Sequence, residues 1–107
     1  MDENLLVLLE VRELTGGESG CWVVTTEHSE HMFDLDAGTV ERVPGPDAVP
    51  FSSDRPRPLR TIEQCQVGKR GYWTVFSDDF MVEFKWHLST EVLRIVRVPG
   101  TGSADGE

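Results

Sequence analysis

The chain has no run of 18 consecutive apolar residues, so no helical membrane span is expected. It also has no excess of base: nineteen Asp and Glu face ten Lys and Arg, for a net charge of −9. That balance argues against general nucleic-acid binding, where Lys and Arg must displace condensed counterions. Cysteine is scarce. Cys21 and Cys65 show no CxxC spacing and are expected as reduced, buried thiols rather than a disulfide. No G-x-S-x-G elbow is present, and neither cysteine has a basic neighbour in sequence, so nucleophilic catalysis has no visible machinery. Gly16, Gly17 and Gly20 precede no helical pattern and do not form a phosphate-cradling loop. Asp2 and Glu3 stand before Leu5–Leu9 where a signal peptide would carry bases, which makes the cytoplasm the expected address. At 107 residues there is room for one domain, and too little chain for a TIM barrel or most doubly wound folds.

What is present is a polarised charge pattern and a β-rich texture. Residues 1–41 carry ten acids against Arg12 alone, whereas residues 42–98 carry nine bases and seven acids. Such a field suits a basic partner, or the basic part of one copy meeting the acidic part of another. Cys21–Thr26 is a run of β-favouring residues, and His31–Leu35 alternates His31, Phe33 and Leu35 with Met32 and Asp34. Asp36-Ala37-Gly38 reads as a tight hairpin turn with glycine at positive φ, and Thr39–Val43 returns from it. Further strands are expected over Leu59–Val67, Tyr72–Phe76, Phe80–Trp86 and Glu91–Val98. In Phe80–Trp86, alternation predicts that Phe80, Val82, Phe84 and Trp86 form a buried face. Glu91–Val98 has apolar residues on both sides and reads as a central strand. The first run, Leu5–Val11, fits either helix or strand; Val7, Val11 and the following glycines favour strand.

The expected fold is all-β, or β-rich α+β: a small antiparallel barrel or two-sheet sandwich of about eight short strands. One compact domain spans residues 1–98. A proline-rich crossing at 44–58 holds five of the six prolines, and a disordered acidic tail occupies 99–107.

Three constellations could carry function. Phe33-Asp34-Leu35-Asp36-Ala37-Gly38-Thr39 resembles the first motif of haloacid-dehalogenase-type phosphatases, but Ala37 interrupts the Asp-x-Asp-Gly-Thr pattern and the chain is too short for their α/β core. Hairpin chemistry accounts for the same residues. His28 and His31, with nearby carboxylates, are candidate ligands for a small metal-dependent enzyme. A polar hairpin tip is the plainer expectation, so neither metal nor cofactor is expected. Finally, the acidic hairpin residues Glu27, Glu30, Asp34 and Asp36, and the loop arginines Arg55, Arg57 and Arg60, are the candidate partner contacts. Trp22, Trp73 and Trp86 are expected to pack in or against the core, an aromatic interaction patch being the alternative.

Trp22-Val23-Val24-Thr25-Thr26, then His31, Asp34-Leu35-Asp36, Thr39 and Arg42, resembles the opening of short uncharacterised proteins of actinobacteria and their phages. Leu59-Arg60-Thr61-Ile62 and the later Thr90, Val92 and Ile95 are similar in layout, so the resemblance covers residues 20–98. Such proteins have no assigned reaction, and the resemblance implies a phage- or host-encoded binding protein. The expected function is therefore a non-catalytic protein-interaction module, a regulator or inhibitor acting on a macromolecular partner, which is another protein or a second copy. The alternatives are an acidic DNA mimic that inhibits a nucleic-acid enzyme or defence protein, and the metal-dependent enzyme above.

Overall fold

The computed structural model describes residues 9–44 and 55–101. The expectations for residues 1–8, for most of the proline-rich crossing and for the tail beyond Thr101 lie outside them. Within them the fold is all-β, with seven strands: β1 Glu10–Val11, β2 Cys21–Thr26, β3 Ser29–Asp34, β4 Thr39–Pro44, β5 Arg57–Gln64, β6 Arg70–Phe76 and β7 Phe84–Arg97. All pairings are antiparallel, and β7-β2-β3-β4-β5-β6 closes on itself as a six-stranded barrel, with β1 added on β7. Of the expected barrel and sandwich, the barrel is what forms.

Period-two patterning builds the wall. Trp22, Val24 and Thr26 of β2, His31 and Phe33 of β3, and Val40 of β4 point inward and are buried, while their neighbours are more open. Leu14, Cys65, Trp73, Val92 and Ile95 complete the core, with Trp73 edge-on to Phe33 at a 4.9 Å centroid separation. The β3–β4 turn follows its sequence: Gly38 has φ +75°, its N–H donates to the Asp34 carbonyl, and the Ala37 N–H donates to Asp34 Oδ1.

Two strand expectations are corrected. Phe80–Trp86 is not a strand with a buried face. Asp79 accepts the Met81 N–H through Oδ1 and the Val82 N–H through its carbonyl, which commits this stretch to a turn, and Phe80 is 95% exposed at its tip. Nor is Glu91–Val98 a separate strand: β7 runs unbroken from Phe84 to Arg97 and includes His87.

A flat fourteen-residue strand could not serve both halves of a closed barrel; bulges bend it. Leu93 is an extra residue opposite Thr25 and Thr26, and a second irregularity lies between the pairs Arg70↔Glu91 and Tyr72↔Leu88. Ser89, Val92 and Ile95 are consequently all buried despite their spacing of three, and Leu93 faces solvent. The inner corner of this bend leaves no room at Gly71. A Cβ there would lie 2.5 Å from the Trp73 ring and 2.7 Å from Ser89 Oγ. Ser89 Oγ accepts the Gly71 N–H and donates to the Thr90 carbonyl, holding the two strands in contact.

Candidate partner-binding face

The outer surface of β5, β6 and β7 concentrates the aromatic side chains. The parity of β7 is set by His87, which points inward and stacks on buried Trp73 at 4.8 Å. Phe84, Trp86 and Leu88 therefore point outward, opposite Phe76, Thr74 and Tyr72 of β6. Tyr72 stacks on Trp86 at 4.4 Å, Phe84 meets the Trp86 ring edge-on at 5.8 Å, and the Arg60 guanidinium lies 3.9 Å above the Phe84 ring. Thr61 and Thr74 share a 2.7 Å hydroxyl bond across β5 and β6, and Thr74 is fully buried on this outward side. The rings are thus locked in place. They are also uncovered: Trp86 is 53% exposed, Leu88 52% and Phe76 47%, with Phe80 and Met81 protruding from the adjoining turn.

Beneath this face lies a polar inclusion in the core. His31 is 2% exposed, edge-on to Trp73 and to His87, and its Nε2 is 3.1 Å from Ser29 Oγ. Burial, then the charges of His87 and of Arg42, the register partner of His31 on β4, push His31 down to about 3; burial and Arg42 lower His87 as well. Both imidazoles are therefore neutral near pH 7, serving as aromatic core and not as charge.

The expected contact residues divide. Glu27 and His28 sit exposed in the β2–β3 turn, with Glu30 exposed just inside β3, while Asp34 and Asp36 lie at the other end of that strand, roughly 17 Å away along a six-residue strand. They do not form one acidic patch, and Asp34 and Asp36 are occupied as acceptors for the backbone N–H groups of Ala37 and Gly20. His28 and His31 do not converge, one being exposed and the other inside the barrel, and no three His, Cys, Asp or Glu gather as a metal site among the described residues. Arg55 is exposed before β5; Arg57 is largely covered and 3.8 Å from Asp78; Arg60 alone joins the aromatic face.

Trp22 and Trp73 are core residues as expected, whereas Trp86 belongs to the surface patch that was the alternative. The alternation that singled out Phe84 and Trp86 is real; it marks the outer wall. Both thiols are free, with burial raising the Cys65 pKa to about 12. No helix among the described residues is long and apolar enough to cross a membrane. The fold and this face define a small closed β-barrel with an uncovered aromatic wall. Comparison with protein-family models, curated proteins and solved structures found no match.

Proposed function

We propose that the protein is a non-catalytic interaction module that binds a protein partner through the Arg60–Tyr72–Phe84–Trp86 face. The supporting observation is that Trp86, half exposed, is held between Tyr72 and Phe84. Rigid Trp, Tyr and Arg side chains presented together are the chemistry of interface hot spots, because they contribute large contact area at little ordering cost. Arg60, fixed over Phe84, supplies a bidentate donor for a carboxylate on the partner. Two free thiols suit a reducing, cytoplasmic setting. The resemblance of residues 20–98 to short actinobacterial and actinophage proteins supports a regulator or inhibitor acting by occupancy of its target.

The test is capture of the partner from cells that carry the protein, followed by calorimetric titration of the purified pair with wild type and Trp86→Ala. Truncating a central tryptophan is expected to cost about 2 kcal/mol or more, roughly a thirtyfold loss of affinity, with the barrel intact by circular dichroism. Equal affinity of the variant would refute this reading.

A further inference from the structure

The shortest ladder of the barrel joins β4 to β5. The β4–β5 ladder comprises two pairs, Thr39↔Pro58 and Val40↔Arg57. Beyond them β5 keeps β6 on one edge, while register shifts between Leu59 and Thr61 and between Ile62 and Gln64 coil it away from β4. Backbone bonds close the two ends of the exposed edge, Leu59 N–H to the Gly38 carbonyl and Leu14 N–H to the Cys65 carbonyl, each at 2.9 Å. Between them, Arg60–Gln64 is bordered by no second strand among the described residues. In its place is a groove of about 490 Å³ lined by Thr15, Gly16, Leu35, Gly38 and the Leu59–Glu63 stretch of β5.

We infer that this groove takes an extended, basic–aliphatic peptide segment of a protein partner, which adds as a strand along Arg60–Gln64. The window is five residues long, about 16 Å of extended chain, and a main chain laid there meets an edge of backbone groups. Leu35, Leu59 and Ile62 are partly buried and form an apolar floor for alternate side chains. Three carboxylates stand in or next to the groove: Glu63 lines it, Glu18 accepts the N–H groups of the lining residues Thr15 and Gly16, and Asp36 stands in the turn between the lining residues Leu35 and Gly38. Among the described residues Arg60 is the single base lining the groove, and it reaches outward over Phe84. Charge complementarity therefore selects Lys or Arg at the intervening positions. The inference rests on the reading of a protein-binding module and adds a second contact, which meets the first at Arg60.

The test is nitrogen-15 NMR titration with a capped hexapeptide alternating lysine and valine, its glutamate–valine counterpart, and the lysine–valine peptide N-methylated at every residue. The lysine–valine peptide is expected to shift the amides of Arg60–Gln64 and of Thr15–Gly16 saturably, with each of the others at least tenfold weaker. N-methylation removes the main-chain donors while keeping the side chains, so equal binding of that peptide overturns strand addition. Equal binding of the glutamate peptide overturns the basic partner. Absence of shifts at Arg60–Gln64 with every peptide, or shifts confined to Tyr72, Trp86 and Leu88, overturns the site. Trp86→Ala is expected to leave the titration unchanged, so failure at the aromatic face and failure at this groove are told apart.

Discussion

Lowering the pH from 8 to 5 tests the neutral histidine core. His31 titrates at about 3 in the folded barrel and near 6.5 when exposed, so below 6.5 the unfolded chain holds a proton that the folded chain refuses. A depressed value of this kind gives stability that is complete above 6.5 and is lost progressively as pH falls toward 3. Each pH unit in that window costs about 1.4 kcal/mol, so by pH 5 the loss from His31 alone is about 2 kcal/mol. His87, lowered in the same direction, adds to it. For a domain of this size that is on the order of 10 °C in Tm. Stopping at pH 5 keeps most carboxylates ionised and out of the measurement. The assay is urea denaturation followed by tryptophan fluorescence at several pH values, on wild type and His31→Gln, which keeps a polar group near Ser29 Oγ but cannot titrate. The variant is expected to be less stable at pH 8 and to show a slope reduced by the His31 share. A wild-type stability that is flat to pH 5, or an undiminished slope in His31→Gln, would refute the reasoning.

Other outcomes follow from the same geometry. Gly71→Ala drives a methyl into the Trp73 ring and Ser89 Oγ, and is expected to cost about 1–3 kcal/mol by chemical denaturation; a neutral result would mean that β6 and β7 can part there. A maleimide reagent under native conditions is expected to modify Cys21 well before Cys65, whose thiol is buried and pushed up to about 12; mass spectrometry after peptide mapping reads the order. Replacing both Phe80 and Met81 by serine is expected to change stability by less than about 0.5 kcal/mol, since neither packs against the core.

Much of the barrel was legible because its local rules agree. The inward Trp22, Val24 and Thr26 and the Asp34–Gly38 turn follow from alternation and turn chemistry alone. Phe84 and Trp86 show where that logic stops. Period two reports that two faces differ, not which one is inside, and for β7 the choice is made by His87 stacking on Trp73 across the sheet. The bulges at Leu93 and near Ser89 are also set by pairing partners distant in sequence, so the joining of two expected strands into one could not be read locally. Arg60 was visible as a candidate because it lies among the loop arginines, but its seat above Phe84 depends on the β5–β6–β7 arrangement. The acidic residues looked contiguous in sequence and are separated by the length of β3.

β7 is hydrogen-bonded to β1, β2 and β6, so the last of the seven strands is the one that joins the early part of the chain to the late part. Until it arrives, β2 and β6 each lack a neighbour, and the partly made chain presents bare edges to whatever is nearby. Ring closure over such long sequence separations is slow, in the millisecond-to-second range, and cannot begin while a ribosome still holds the residues after Phe84. During synthesis the nascent chain is therefore at its most vulnerable to clumping, and a chaperone's grip would matter most just before the final strand is released.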